Sequence, residues 1–247
     1  MQEINSEFDG GNLKVVKPKI SELRFNAREA INVLRGNIQL SGYNVKVVAV
    51  TSALAHEGKS SLAFRLAKSM AALNKKTLYL DCDIRNSVMK KRYKITARTP
   101  GLSEFLCGKI GINGIVFRTD DPWLDIIFTG AVSPNPSELV SGPLFEQLIA
   151  QLKKHYDYVV VDTPPVNLVI DGALIAKQCD GTVLVVESGV TERAQAVRAK
   201  QQLEFAGVKL LGVVLNKMGT RKSGYGYGGR YGYGGKYGYG GKYGYGY

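Results

Sequence analysis

The sequence predicts a doubly wound α/β domain built on an open, mostly parallel sheet. Short apolar runs rich in β-branched residues are separated mostly by stretches with helical periodicity, a pattern typical of a parallel sheet covered on both faces. The apolar runs are residues 45–50, 77–80, 124–128, 158–161, 182–186 and 210–215. The helical stretches include residues 60–73, 142–155, 172–178 and 191–205. In such a sheet the ligand binds at the carboxyl ends of the strands.

The chain divides into three parts. Residues 1–18 are polar and mixed, which predicts a flexible or loosely packed lead. Residues 19–220 form the predicted α/β domain, and their number suits one domain with a full core. Within it, residues 19–41 carry apolar side chains at helical spacing, from Ile20 and Leu23 to Ile38. Residues 221–247 form a tail of different composition.

Composition favours a soluble protein of the reducing cell interior. Hydrophobic residues make up 45% of the chain, yet its longest apolar runs are far shorter than the roughly 20 residues that span a bilayer. The first residues lack the basic start and apolar stretch of a signal peptide. Cys82, Cys107 and Cys179 are scattered without a Cys-x-x-Cys pair, which argues against a zinc or iron–sulfur site.

The tail is a tyrosine-rich repeat. Residues 230–235, 236–241 and 242–247 are six-residue units of tyrosine and glycine that each begin with Arg or Lys. So much glycine without aliphatic side chains predicts disorder. A chain of this length and composition has an end-to-end distance of roughly 30 Å and extends to about 90 Å, so it reaches a neighbouring subunit. Its tyrosines are Tyr225, Tyr227, Tyr231, Tyr233, Tyr237, Tyr239, Tyr243, Tyr245 and Tyr247.

The net charge of the chain is +12, and the tail contributes +5 of it without any acidic residue. A basic surface of this kind suits nucleic acid, anionic lipid or an acidic partner, and charge alone does not choose among them.

The first apolar run leads into a Walker A arrangement, Ser-Ala-Leu-Ala-His-Glu-Gly-Lys-Ser-Ser at residues 52–61, with Ala53 where the pattern usually has its first glycine. Backbone N–H groups and a helix N-terminus cradle phosphate there. Gly58 allows close approach, Lys59 meets the β- and γ-phosphates, and the Ser60 hydroxyl ligates Mg²⁺. The alternative is an accidental Gly-Lys-Ser at a helix start. The preceding strand and following helix favour a sheet of the P-loop NTPase type that binds ATP.

Carboxylates end two further apolar runs. Asp162 follows residues 158–161 as in a Walker B strand, and Asp81, Asp83 and Arg85 follow residues 77–80. An aspartate at a strand end is usually a helix cap or turn former. Because both strands are expected to flank the P-loop strand, these side chains are predicted to lie at the phosphates.

The pattern hydrophobic-Asp-x-Asp-x-Arg after a P-loop resembles the extra Walker motif of the bacterial P-loop tyrosine kinases of capsule and exopolysaccharide synthesis. The segment 133–139 and the terminal tyrosines are similar to this family too, and the resemblance spans about residues 19–247. It implies a kinase that uses ATP and Mg²⁺. Lys59 and Ser60 would hold these ligands, Asp162 would support the metal, and Asp81 would act as base or orienting group for the acceptor hydroxyl, beside Asp83.

The predicted site residues follow from the motifs and the resemblance together. The catalytic residues are Lys59, Asp81 and Asp83. The metal ligands are Ser60, Asp83 and Asp162. The nucleotide-binding residues are Ala53, Glu57, Gly58, Lys59, Ser60, Ser61 and Arg85. The phosphoacceptors are the nine tail tyrosines.

Two positions depart from the family pattern. Ala55-His56-Glu57 replaces Pro-Gly-Glu, so His56 stands where glycine would supply a positive φ. The assembly motif Glu-x-x-Arg-x-x-Arg is represented by Glu29, Asn32 and Arg35, so its middle arginine is missing. The alternative for these residues is a solvated helix face.

The resemblance also implies partners and a location. They are a membrane adaptor with an activating cytoplasmic segment, a tyrosine phosphatase and further copies in a ring, at the inner face of the membrane. Nucleic acid is not expected. Two alternatives remain open. A partition or division-site ATPase would share the fold, but such proteins carry a lysine where this chain has Leu54. A Tyr/Gly tail with basic residues could instead bind RNA by stacking and charge.

Overall fold

The computed structural model describes residues 13–19, 21–95 and 99–218. Within these ranges seven strands form one sheet in the order β3-β4-β2-β5-β1-β6-β7. Every neighbouring pair is parallel except β3 and β4, which are antiparallel. The strands are β1 Val47–Ser52, β2 Thr77–Asp81, β3 Val116–Arg118, β4 Leu124–Ile127, β5 Tyr158–Asp162, β6 Gly181–Glu187 and β7 Leu210–Asn216.

Helices connect the strands and cover both faces of the sheet. They are α1 Phe25–Leu40, α2 Lys59–Ala71, α3 Met89–Arg92, α4 Leu102–Leu106, α5 Pro136–Ser141, α6 Pro143–His155, α7 Asp171–Lys177 and α8 Arg193–Phe205, with a 3₁₀ turn at Ile112–Gly114. The predicted doubly wound, mostly parallel sheet is confirmed. The short elements β3, α3, α4 and α5 were not predicted, because segments of three to six residues carry too little periodicity.

Burial explains why the strands read as continuous apolar runs. All six residues of β1 and all five of β2 are buried. One core lies between the sheet and α1 and α2, with Val48, Phe64 and Tyr79 among its members. A second core lies on the other face and includes Leu78 and Phe145. Helices therefore cover the sheet on both sides, as a parallel sheet requires.

The strand order places the predicted motifs side by side. The strand β1, which leads into the P-loop, lies between β5 and β6, and β5 lies between β1 and β2. The expectation that both acidic strands flank the P-loop strand is therefore right for β5 and wrong for β2, which lies one strand further away because β5 is inserted between them. Asp162 at the end of β5 is in register with Val50 of β1 and with Asp81 of β2. The carboxyl ends of three adjacent strands thus meet at one edge of the sheet, where an open α/β sheet binds its ligand.

Part of the lead packs on the sheet instead of lying loose. The Val16 N–H donates to the Arg118 carbonyl at 2.9 Å, and the Arg118 N–H donates to the Lys14 carbonyl at 3.0 Å. Val16 is buried. These contacts extend the outer edge of β3, where a short strand would otherwise leave backbone groups unpaired. The expectation of a flexible or loosely packed lead therefore does not hold for residues 14–16.

The tail 221–247, its predicted disorder and its nine tyrosines lie outside the described residues. Among the helices of the described residues, none is long and apolar enough to cross a membrane.

Two glycines provide a matched test of packing. A Cβ on Gly101 would lie 2.1 Å from the Phe128 carbonyl oxygen and 2.4 Å from the Gly130 nitrogen, whereas one on Gly36 in α1 meets nothing within 4 Å. Because backbone atoms cannot move aside cheaply, we expect Gly101→Ala to lower the free energy of unfolding by about 1–3 kcal/mol. Gly36→Ala should raise it by up to about 1 kcal/mol. Urea unfolding measures both, and equal effects would contradict the packing around Gly101.

Candidate active site

The P-loop joins the end of β1 to the start of α2. Gly58 precedes the helix with φ +92°, and a Cβ there would lie 2.3 Å from the Asn216 side-chain nitrogen. His56 also has positive φ, +66°, a conformation that histidine adopts more readily than most residues. The loop therefore reaches the left-handed geometry at position 56 without the family's glycine.

Lys59 lies at the centre of the predicted site. Its ammonium is 2.8 Å from Asp83 Oδ2 and 3.5 Å from Asp162 Oδ1, and it donates to Ser60 Oγ at 3.3 Å. All four side chains are buried. The structure thus brings together the lysine predicted to be catalytic and the three predicted metal ligands, so that three oxygens converge on one cation.

The carboxylates and the lysine perturb one another. Burial alone would lower the pKa of Lys59, but the charges of Asp162 and Asp83 outweigh it, so the pKa is raised. Burial and the nearby Asp162 raise the pKa of Asp81 to about 8. Burial likewise raises the pKa of Asp162, although the Lys59 charge opposes it. Three buried aspartates, Asp81, Asp83 and Asp162, thus lie around the single ammonium of Lys59. This excess of carboxyl groups favours the binding of a further cation.

Asp81 and Asp83 occupy different surroundings. Asp81 accepts the Ser87 hydroxyl on Oδ2 at 2.5 Å and the Asp83 N–H on Oδ1 at 3.2 Å. Both of its oxygens are thus bonded inside the turn after β2. Asp83 also accepts a backbone N–H of this turn, that of Asn86 on Oδ1 at 3.1 Å, but unlike Asp81 it lines a cavity of about 450 Å³ that also touches Lys59 and Ser60.

The cavity is lined both by the P-loop and by apolar residues. Gly58, Lys59, Ser60 and Ser61 contribute from the loop and the start of α2. The apolar lining includes Pro164, Pro165, Leu168 and Val169, which follow β5. A pocket that combines phosphate-binding groups with apolar groups suits a nucleotide.

Two residues that we assigned to nucleotide binding instead support the loop from beneath. Ala53 is fully buried, and its N–H donates to the Val185 carbonyl at 3.4 Å. Glu57 is also buried; its carboxylate accepts the Leu54 N–H at 2.7 Å and the Thr191 hydroxyl. Neither residue lines the cavity. Both fix the backbone of the P-loop.

The end of β7 completes the cavity, and sequence reasoning missed it. Asn216 donates from its side-chain nitrogen to the Glu57 carbonyl at 2.8 Å. Lys217 donates to the His56 carbonyl and to Glu187 Oε2, both at 2.7 Å. Both residues line the cavity. The contacts of Asn216 and Lys217 with the loop join residues 159 and 161 positions apart, so no local pattern predicts them.

Arg85 lies at the rim of the cavity, where a carboxylate holds it. Its Nε is 2.6 Å from Asp171 Oδ2 and its Nη2 is 3.3 Å from Asp171 Oδ1, and Nη2 also donates to Ser137 Oγ at 3.1 Å. Asp171 is buried at the start of α7, and Ser137 belongs to α5. The predicted nucleotide residue therefore ties the turn after β2 to two helices. Ser137 lies in the family-like segment 133–139, and that resemblance was the one sequence signal that pointed to this contact.

The two residues predicted to make oligomer contacts bond within their own chain. Arg35 donates to the Ser69 carbonyl at 2.7 Å and to the Ser69 hydroxyl at 2.8 Å, which joins α1 to α2. Glu29 accepts the Asn32 side-chain amide at 3.0 Å on the exposed face of α1. Asn32, which stands where the family motif has its middle arginine, is thus bonded to Glu29 within the same helix.

Comparison with known proteins identifies the family. A family model described as an AAA domain matches residues 45–194. The chain is 40% identical over 214 residues to tyrosine-protein kinase CpsD of Streptococcus agalactiae, which covers 87% of this chain and 93% of that protein. The chain belongs to the bacterial P-loop tyrosine kinases. Its enzyme class is protein-tyrosine kinase, and the fold is one that binds nucleotide.

Solved structures agree with this assignment. The kinase domain of the Escherichia coli tyrosine kinase ETK superposes with a TM-score of 0.75 at 32% identity, covering 81% of this chain and 80% of that one. The septum site-determining protein MinD of Pyrococcus horikoshii, complexed with Mg-ADP, reaches 0.62 at 19% identity, with 72% of each chain covered. The second likeness shows the shared fold alone.

The contacts of Arg85 give a test of its role in this bacterial P-loop tyrosine kinase. We expect Arg85→Ala to lower the free energy of unfolding by about 1–3 kcal/mol, because the buried Asp171 loses its cationic partner. ADP affinity should change much less. Urea unfolding and calorimetric ADP titration separate the two effects. A large loss of affinity at unchanged stability would instead support direct nucleotide contact. Arg198→Ala, on the surface of α8, is a control for loss of a surface arginine.

Proposed function

We propose that the chain is an autophosphorylating tyrosine kinase that uses Mg-ATP, modifies its own C-terminal tyrosines between subunits and so regulates capsular or exopolysaccharide synthesis or export. The observation that carries this proposal is the convergence of Lys59, Ser60, Asp83 and Asp162 beside the cavity. One lysine, one hydroxyl and two carboxylates form the set that phosphoryl transfer needs, since that reaction depends mainly on positioning and charge neutralisation.

The donor set fits magnesium. Ser60, Asp83 and Asp162 present oxygens within 3.5 Å of a single cation, the Lys59 ammonium. Among the described residues there is no cluster of three or more His, Cys, Asp and Glu side chains that could cage a metal. That agrees with Mg²⁺, which usually takes one or two carboxylates together with phosphate oxygens and water. Held by Ser60 and Asp83, with Asp162 in support, the ion would neutralise charge on the phosphates.

The protein groups divide the remaining work. Backbone amides around Gly58 and the start of α2 bind phosphate. Lys59 exchanges its contact with Asp83 for the β- and γ-phosphates, which frees the Asp83 carboxylate. Since Asp83 lines the cavity while Asp81 does not, we propose that Asp83 would hold the metal through one oxygen and accept the proton of the incoming tyrosine hydroxyl on the other. Asp81 then orients the turn through its bond with the Asp83 N–H.

The tail supplies the acceptor in this proposal. Nine tyrosines follow the end of the described domain, on a segment of charge +5. A basic tail is attracted to a site that holds ATP and buried carboxylates. Each phosphate adds about −1.5 to −2 at neutral pH, so three or four phosphates cancel the basic charge. Phosphorylation between neighbours would then release the tail and loosen a ring of copies.

Further partners belong to the same proposal. A membrane adaptor with a cytoplasmic activating segment would hold the kinase at the inner face of the cell membrane, and a tyrosine phosphatase would reverse the reaction. Glu29 and Arg35 are the proposed ring contacts. Because Arg35 already bonds Ser69, a ring contact through this arginine would have to share or replace that bond.

One observation weighs against an ATPase switch of the partition or division-site type. Leu54 stands where those proteins carry the lysine that reaches a partner's ATP, and here it packs partly buried against an apolar cluster. An uncharged side chain at this position cannot neutralise phosphate across a dimer.

The role of Lys59 is directly testable. We expect Lys59→Met to fold normally, because the aspartates that lose their cation can take up protons. It should lose phosphotyrosine by a factor on the order of 10²–10³ or more, since it removes positive charge from the phosphates. Anti-phosphotyrosine blotting and intact mass after incubation with Mg-ATP measure the loss. Lys200→Met, exposed on α8, controls for loss of a lysine and should label as the wild type does. Unchanged labelling of Lys59→Met would contradict the proposed role of Lys59 at the phosphates.

Transfer between subunits is tested by mixing two proteins, one of which lacks the tail and the other a working active site. Residues 1–223 supply an active site without acceptors, and full-length Lys59→Met supplies acceptors without an active site. We expect the tail of the inactive partner to gain steps of 80 Da, at a rate that rises with protein concentration. If only chains with both an intact site and a tail are labelled, transfer occurs within one chain. Salt-sensitive RNA binding by an unlabelled tail would favour the RNA-binding alternative.

A further inference from the structure

A buried tyrosine contacts the Walker B carboxylate. Tyr79 is the middle residue of β2 and is fully buried. Its hydroxyl donates to Asp162 Oδ2 at 2.9 Å. A phenol in a sheet core must find a hydrogen-bond partner. Here that partner is the carboxylate next to the proposed metal position.

The two carboxylate oxygens of Asp162 have different partners. Oδ2 is held by Tyr79, while Oδ1 faces the Lys59 ammonium at 3.5 Å. A carboxylate held at one oxygen has its plane fixed, so its other oxygen points in one direction. Partners of this kind, one layer behind the ligands, commonly set the orientation and affinity of a metal site.

The phenol ring is itself held in place. Phe64 packs edge-to-face against it, with ring centroids 5.2 Å apart and an interplanar angle of 88°. Phe64 is fully buried and belongs to α2, the helix that begins with Lys59. The Tyr93 ring packs in turn against Phe64, with ring centroids 4.5 Å apart. The hydroxyl therefore has little freedom to leave Asp162.

We propose that Tyr79 is a positioning residue for the kinase reaction, which acts through Asp162 by fixing the oxygen that faces Lys59 and the metal. This inference rests on the proposed metal-supporting role of Asp162. Its rival is a purely structural bond that satisfies a buried phenol.

The chain contains a matched control for that rival. Tyr156 is also buried, and its hydroxyl donates to the buried carboxylate of Asp125 at 2.8 Å. Like Tyr79 and Asp162, neither residue lines the nucleotide cavity. Tyr79→Phe and Tyr156→Phe thus each remove one oxygen and one buried tyrosine–aspartate hydrogen bond, but only the first bond involves the proposed metal site.

The experiment measures ADP binding to the full-length protein by calorimetry while Mg²⁺ is varied, with thermal unfolding of each variant alongside. We expect Tyr79→Phe to raise the Mg²⁺ concentration that gives half-maximal ADP binding by about 10-fold. Its ADP affinity in EDTA should equal that of the wild type. Tyr156→Phe should lose thermal stability yet keep the wild-type Mg²⁺ dependence.

Asp162→Asn tests the metal role of Asp162 separately from the positioning role of Tyr79. If it leaves the Mg²⁺ dependence unchanged, the metal role of Asp162 fails, and the inference fails with it. If Asp162→Asn shifts the dependence but Tyr79→Phe behaves like Tyr156→Phe, the positioning role alone is overturned. If Tyr79 acts through Asp162, adding Tyr79→Phe to Asp162→Asn changes the Mg²⁺ dependence no further, whereas an additive shift would contradict that route.

Discussion

The buried ion cluster around Lys59 is the constraint on which the rest of this structure depends. Removing one ammonium and several carboxylates from water is expensive, and it is tolerated only where the charges compensate one another at close range. Asp83 and Asp162 approach Lys59 within 2.8 and 3.5 Å. Burial and the Asp162 charge raise the pKa of Asp81, which shows the free-energy cost of keeping this carboxylate ionised beside its neighbours. The parallel sheet makes the cluster possible because three adjacent strands end at one edge.

The shape of the P-loop is imposed by contacts from distant parts of the chain. The loop lacks the glycines that usually allow its turns, since Ala53 and His56 replace them. A left-handed non-glycine residue costs on the order of 1–3 kcal/mol and persists when its surroundings determine it. Here the His56 carbonyl accepts from Lys217, and the Glu57 carbonyl accepts from Asn216. The end of β7 thus holds the loop, which explains how histidine is accommodated.

Local patterns in the sequence were enough to predict the sheet and the centre of the site. Valine-rich runs and a Gly-Lys-Ser before a helix are contiguous signals. The expectation that the acidic strands end beside the P-loop put Asp81, Asp83 and Asp162 near Lys59, although β2 is adjacent to β5 and not to β1. Contacts between distant segments left no such signal. The bidentate pair of Arg85 with Asp171 joins residues 86 positions apart. Tyr79 is indistinguishable in sequence from any other core residue of a buried strand, so its bond to Asp162 emerged only in three dimensions.

The fold alone does not determine which reaction this site performs. MinD shares the fold at 19% identity, so the doubly wound sheet and the P-loop account for nucleotide binding and no more. Two local differences carry the rest. Leu54 removes the possibility of a cationic contact across a dimer, and the turn after β2 offers two carboxylates in unlike settings. Asp81, bonded to Ser87, does not line the cavity, whereas Asp83 lines it and also accepts the Asn86 N–H. In the proposed mechanism a carboxylate beside the phosphates would supply what transfer to a hydroxyl acceptor requires beyond nucleotide binding, because the acceptor needs a partner for its proton as well as a phosphate to attack.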